Sequence, residues 1–571
     1  DGSYSGANGQ ITGNGALVVN LAGAFNQNGG STYAEQITID AGALSNQGGK
    51  IVQGEAGATR ITVVGAVDNS GGTIASNGNT TVAAGSLSNQ GGTNRAGETS
   101  NLGLVVGAML DNSNKGEIGA GGNTTLNAGS LNNDAGRITA VGDLSSTTSG
   151  TTSNNKAGTI AANGNTTVNA ASLNNNGGTV AAVGAKLHLT TSGATTNAGG
   201  SLQAGGATVL SNAGLDNSAG KVFGNSLSVD THGQALTNVQ GTLAATTTVD
   251  IQSGALNNDA GLIQSGGAMT VDTHGQALTN TNAAAYAAGQ GGITSGDTLT
   301  LNTGAVNNTA GFIGAKGALS ATASQVTNGN AGQIVGESTL ALSTAGFHNR
   351  GGSVQSLGDL TIAAGAGTLD NAGSLLRPAA TTSLSGASVI NSSTPGADQG
   401  IEGKNVSITA QAITNSNGAI RADENVTLTS GGQIGNIAGL VSAGDTLTVA
   451  DLNAVKALSV TNTGGTLVAG KKVALDAGSI TWDGKLLSRG DMSLAVTQDI
   501  SFGTGSETIA NNNLSLTTTG DISNSGKLAA GNALTLSGHN IENTVTGDIQ
   551  GKTTTLHATD TLPNRAVIDA L

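Results

Sequence analysis

The chain has 571 residues, a net charge of −14, 93 glycines and no cysteine, with aromatic residues at 2% and charged residues at 10%. It is longer than the ~250–300 residues at which one compact core stops growing, so it is either several domains or a solenoid whose core lengthens without thickening. The acidity argues against a reader of nucleic-acid phosphates, which needs clustered Lys and Arg. The missing cysteines exclude a disulfide scaffold, and no apolar run is long enough for a membrane-spanning helix.

Glycine-rich chains are often flexible linkers. Here the β-branched and apolar residues recur at fixed spacing, which points to strands instead. From the N-terminus, residues 31–36 with Tyr33 overrun the first repeat and read as an ejected loop. An apolar-x-Asn motif with a glycine shortly after then recurs at Asn46, Asn69, Asn89, Asn112, Asn133, Asn154, Asn175, Asn197 and Asn217, with Thr in the apolar place before Asn154 and Asn197. It continues at Asn238, Asn258, Asn280, Asn308, Asn328, Asn349, Asn371, Asn391 and Asn415. The period is about 21 residues, within the range of repeat architectures. A second anchor, Gly-[Asn/Asp] followed by an apolar residue, stands at residues 78–82 (GNTTV), 122–126 (GNTTL) and 296–301 (GDTLTL). It persists at residues 444–449 (GDTLTV) and 531–536 (GNALTL), and as the near variant GKKVAL at residues 470–475.

Residues 164–182 (GNTTVNAASLNNNGGTVAA) show one unit clearly. Thr166, Val168 and Ala170 alternate onto one face, followed by Leu173 and Asn175, then Val180 and Ala182. Period-2 alternation punctuated by glycine means short strands. So short a unit cannot close its own core, but stacked copies pair in parallel about 4.8 Å apart. The predicted fold is all-β: an elongated parallel β-helix, right-handed because parallel crossovers are. Each Asn follows an inward apolar residue by two positions and should itself face inward, bonded to its copies as an amide ladder. The alternative is an outward turn residue in the left-handed conformation.

Further along, VDTHGQALTN occurs twice, at residues 229–238 and 271–280. The duplication places His232 and His274 two coils apart, about 10 Å by the inter-strand step, too far to share a zinc ion. Asp230, Asp250 and Asp272 are spaced to form a column, the nearest approach to the paired carboxylates of a polysaccharide-cleaving β-helix. The longest overrun, between Asn280 and Asn308, ejects residues 281–290 with Tyr286. After Arg377 the repeat loosens, dividing the chain into regular repeats over 1–376 and a more irregular continuation over 377–571. Residues 392–399 with Pro395 form another candidate loop, and Trp482, the only tryptophan, reads as part of a loop at 481–485. Tyr33, Tyr286 and Trp482 are thus candidate partner-contact residues, since loops on rigid scaffolds carry recognition. No catalytic, cofactor or metal constellation emerges. A phosphate-loop ending at residues 551–553 lacks its upstream glycine, and no H-E-x-x-H is present.

The units L-x-N-x-x-G, as at residues 131–136 (LNNDAG), and G-[ND]-x-x-[LV], as at residues 358–362 (GDLTI), resemble the repeats of filamentous haemagglutinin-like exoproteins. That group is exported by two-partner secretion and includes the large effectors of contact-dependent growth inhibition. The resemblance implies an extracellular filament at the bacterial surface and no enzymatic activity. It implies two partners, an outer-membrane transporter during export and a receptor on a host or neighbouring cell. The chain carries no Asn-Pro-Asn motif of a secretion domain and reads as an excerpt of the filament.

Overall fold

A computed structural model of the chain describes residues 2–570. Packing divides it into two units: residues up to Thr279 together with Ala283–Ser295, and Asn280–Asn282 together with Gly296 onward. Each unit is a parallel β-solenoid with about 21 residues per coil.

One coil of the first unit illustrates how the sequence folds. Thr159–Ala162, Thr166–Ala170 and Ser172–Asn174 are its three strands. The chain then enters the next coil at Thr179–Ala182, which pairs in parallel with Thr159–Ala162. Alternation puts Ile160, Val180, Leu202, Val222, Leu243 and Ile263 in one register column. All six are fully buried. Full burial of each such side chain contributes about 1.5–3 kcal/mol, so the core is a set of stacked aliphatic columns only one side chain deep. That is why the chain needs so few aromatics.

The second unit has stacked aliphatic columns of the same kind, for example Leu299, Leu319, Leu340 and Leu360. Here some strands run on around the corners: Gly400–Ser416 has 17 residues and Ala419–Ile437 has 19. Their pairing shifts register at 403/405 and 410/412, so irregularities turn the backbone where glycine-rich turns do so elsewhere. The only helical pieces among the described residues are two single 3-10 turns, Ala283–Ala285 and Ala287–Gly289.

Candidate functional site

The repeating feature of the structure is the asparagine column. All 18 Asn residues of the sequence motif are buried, none more than 2% exposed. In the first unit each Nδ2 from Asn46 to Asn238 donates to the Oδ1 of the next Asn, the last acceptor being Asn258, at 2.7–2.8 Å. In the second unit an equivalent run extends from Asn280 to Asn462, at 2.7–3.0 Å. Each amide also serves the backbone: Asn175 Nδ2 donates to Gly178 O at 3.1 Å and to Ser201 O at 3.2 Å. The inward reading of the motif is the observed one.

The glycine of L-x-N-x-x-G is required by contact. Residues 175–178 form a turn closed by Gly178 N donating to Asn175 O. A Cβ on Gly178 would lie 1.8 Å from Asn154 O in the coil before and 2.7 Å from Asn175 Oδ1. The position before it takes positive φ, 65° at Gly177 and 55° at Ala135 in the equivalent turn. The second anchor forms an outer ladder. Asn79 Oδ1 accepts from Asn101 N, Asn101 Oδ1 from Asn123 N, Asn123 Oδ1 from Asp143 N, and Asp143 Oδ1 from Asn165 N, at 2.7–2.9 Å. Both sequence anchors are thus hydrogen-bonding devices that hold one coil against the next.

Trp482 corrects the sequence expectation. It lies within the strand Ser479–Ser488, is 1% exposed, and stands in register with Asn462 on one side and Phe502 on the other. Phe502 in turn registers with Asn524. Trp482 therefore occupies a place in the asparagine column and is a core residue; burial removes it from the partner-contact candidates. Two aromatic coils interrupt the ladder, which resumes from Asn524 through Asn543 to Asn564. Asn436, Asn462, Asn524 and Asn543 are column members that the sequence reading passed over, although each carries the same apolar-x-Asn signal.

Tyr33 also sits in a strand, Ser31–Ala34, and not in an ejected loop. Thr32 and Ala34 point inward there, which turns Tyr33 outward at 41% exposure. Tyr286 does lie in an ejected loop, between the two 3-10 turns, but its hydroxyl is 2.5 Å from Thr242 Oγ1 and its side chain is half-buried. The loop at 392–399 is tied down by two arginines. Arg421 donates to the carbonyls of Pro395, Gly396 and Gln399, and Arg377 to that of Ala397, while Glu402 accepts from both. Glu402, and after it Asp398, hold the Arg377 guanidinium above its ordinary value, with burial opposing.

The acids do not assemble as a column. Asp230 and Asp272 flank Gln252, whereas Asp250 pairs in register with Ser228 and Thr270. The cause is the coil length around Asp250, which sets it two residues away from the Asp230 position. His232 Nδ1 and His274 Nδ1 each lie 3.0 Å from a backbone carbonyl, of Asn212 and Ser253. Among the described residues no group of three or more His, Asp or Glu could hold a metal ion, and no helix is long and apolar enough to cross a membrane.

A sequence profile described as Haemagglutinin repeat matches residues 1–71, 55–103, 96–156, 139–222, 222–285, 277–330, 314–376, 379–451, 437–526 and 503–570. No curated protein and no solved structure matches the chain.

Proposed function

Because the chain belongs to the haemagglutinin-repeat family, whose profile covers nearly all of it, we propose that it is the shaft of a bacterial surface filament. The family is one of structural filament repeats, and together with the β-helix it supports a filamentous adhesin-like exoprotein. In the proposed role the shaft is exported through an outer-membrane transporter of two-partner secretion. It then holds an adhesive or growth-inhibiting region out towards a receptor on a host or neighbouring cell. The observation that carries this reading is the amide ladder. It joins each coil to the next by the same bond throughout a run, so coils are near-exchangeable modules that add reach without adding a new core.

The test is a pair of deletions in the full-length protein. Val229, Ile251 and Val271 share one register column, so removing residues 229–270 joins Ser228 to a strand in the same phase. Ser201, in register with Lys221 and Thr242, then takes the place of Thr242 beneath Tyr286. The filament should refold two steps shorter, about 10 Å, and keep its cell binding. Removing only residues 229–238 should fail to fold, because it sends later strands to the wrong face. Electron microscopy and a cell-binding assay read the outcome. Equal damage from both deletions would refute the modular shaft, and intact filaments without binding would place the receptor site on the removed coils.

A further inference from the structure

The first unit carries a concave patch that the ladder does not explain. The outward face of the strand Glu117–Ala120 and the residue after it presents Glu117, Gly119 and Gly121, so one coil lacks side chains at two successive outward positions. The neighbouring coils are not reduced in this way. Arg95 is in register with Gly119 on one side and Thr139 on the other. Arg137 is in register with Glu117, and Val141 N bonds to Ala120 O at the strand end. The result is a groove of about 460 Å³ walled by Arg95, Glu117, Arg137, Thr139, Val141 and Val183, with two guanidiniums against one carboxylate.

Its chemistry is cationic at one end and apolar at the other. Arg95 and Arg137 are exposed, and neither has a side-chain hydrogen bond or ion-pair partner among the described residues. From the inter-strand step and the two-residue offset, their Cα atoms lie roughly 12 Å apart, with Glu117 and Gly119 on the strand between them, so two guanidiniums face the notch over Gly119 and a single carboxylate adjoins it. Lys115 and Lys156 sit exposed in turns that lead into two of the groove's strands. Val141 and Val183, 59% and 65% exposed, line the far end. Ion pairing elsewhere makes the contrast clear. In the second unit most Lys and Arg side chains are neutralised by a carboxylate, as Arg377 and Arg421 are by Glu402. No Lys or Arg of the first unit, among the described residues, lies within ion-pair distance of one.

We infer that this groove docks an acidic segment of a partner protein, an extended peptide bearing carboxylates and small apolar side chains. Guanidinium forks suit carboxylates, binding them bidentately. The valines favour a peptide over a glycan, because sugar rings are gripped by aromatic faces and this groove has none. The inference goes beyond the filament role and does not depend on it, since a groove on a passive shaft and on an adhesive one would bind alike.

Fluorescence anisotropy with the purified chain tests it, using labelled peptides that alternate glutamate and valine, lysine and valine, or serine and valine, and a labelled polyuronate. The glutamate–valine peptide should bind, and more weakly as salt rises, with the other two at least tenfold weaker. The double variant Arg95→Ser/Arg137→Ser should lose at least tenfold, and Val141→Ser/Val183→Ser several-fold, while circular dichroism stays unchanged. Exposed substitutions of this kind leave every inward column intact, so loss of binding is separable from loss of fold. No binding at millimolar peptide, or equal affinity in the variants, overturns the proposal. So does a polyuronate that binds more tightly and ignores the valine changes, which would assign the groove to acidic glycans. Sedimentation showing self-association that the arginine variant abolishes would assign it to a second copy of the chain and overturn it equally.

Discussion

Replacing Asn175 by alanine should unravel the shaft locally, and the size of the effect follows from its bonds. Asn175 Oδ1 accepts from Asn154 Nδ2 at 2.7 Å, and its Nδ2 donates to Asn197 Oδ1 at 2.7 Å. Asn154 Nδ2 keeps a second acceptor, Thr179 O at 3.0 Å, so its loss is partial. Asn197 Oδ1 keeps no side-chain donor and is fully buried. An orphaned buried acceptor costs about 1–3 kcal/mol, and the second lost bond adds about 1. The expected destabilisation is therefore about 2–4 kcal/mol, confined to the adjacent coils. Asn175→Asp should do worse at neutral pH: a carboxylate accepts from Asn154 but cannot donate to Asn197, and it is a charge without a cation. Burial raises that acid's pKa, so the Asp variant should regain stability as the pH falls and the protonated form donates. Repeat arrays do not unfold as one step, so the measure is hydrogen exchange over residues 154–201, with the exposed neighbour Asn176→Ala as control. Exchange in Asn175→Ala within 0.5 kcal/mol of that control, the usual surface range, would refute the ladder's energetic role.

The remaining expectations use the same geometry. Gln27 stands where the first ladder Asn would be. Its amide turns to Gly9 O, leaving Asn46 Oδ1 and its own Oε1 buried without partners. Gln27→Asn should add a rung and slow exchange around residues 25–46 by about 1 kcal/mol or more; faster exchange would show that the extra methylene is needed for packing. Gly178→Ala should cost about 3 kcal/mol or more, read by hydrogen exchange over residues 154–201, because the backbone carbonyl it meets cannot yield. Ala135→Gly should instead stabilise by up to about 1 kcal/mol, relieving a left-handed alanine. Asp451 caps the turn at 452–458 by accepting from Asn453 N, Ala457 N and Leu458 N at 2.6–2.8 Å. Burial works to raise its pKa, but these donors hold it below the ordinary carboxylate value. The cap should therefore be fully present above about pH 3.9 and lost as the pH falls through the lower folded value. Exchange at Ala457 and Leu458, corrected for intrinsic rate, should show that loss, and Asp451→Asn should not.

How far the fold could be read from sequence depended on whether a residue's role repeats. Leu173, Asn175 and Gly178 recur with their spacing intact, and period-2 alternation fixed which of them faces inward, so the coil and its ladder were legible. Trp482 was not. A lone aromatic in a glycine-rich chain suggests a surface loop, and only the register Asn462–Trp482–Phe502–Asn524 identifies it as an occupant of the asparagine position. Reading Ile480-x-Trp482 and Ile500-x-Phe502 as variants of apolar-x-Asn would have found both. Tyr33 misled for a related reason: residues 31–36 depart from the motif, yet the backbone still alternates as strand. The groove beside Gly119 and Gly121 was beyond sequence reasoning. It needs Arg95 and Arg137, 42 positions apart in the chain, to be brought within two coils of each other.

The ladder also has a direction. Within each run every donor belongs to the earlier coil and every acceptor to the later one, so the amides point head to tail like relays. Each rung must receive on one side and pass on at the other, and a carboxamide does so from two separate atoms, where a hydroxyl has only one. Ionised aspartate receives but cannot pass on, tryptophan can donate but cannot receive, and phenylalanine does neither. A chain that folds from its N-terminus therefore presents an amide N–H to the coil not yet formed, while the other serves its own turn. That N–H selects a carbonyl oxygen at the right position and rejects a coil inserted in reverse. Aligned hydrogen bonds polarise one another, which makes the middle of each run the tightest grip on register and its ends the weakest. Coil order is thus written into the core as a one-way sequence of amide bonds, and an end of a run, as at Asn46 or at Asn462 before the aromatic coils, is where a shaft of this kind is most open to being cut, swapped or extended.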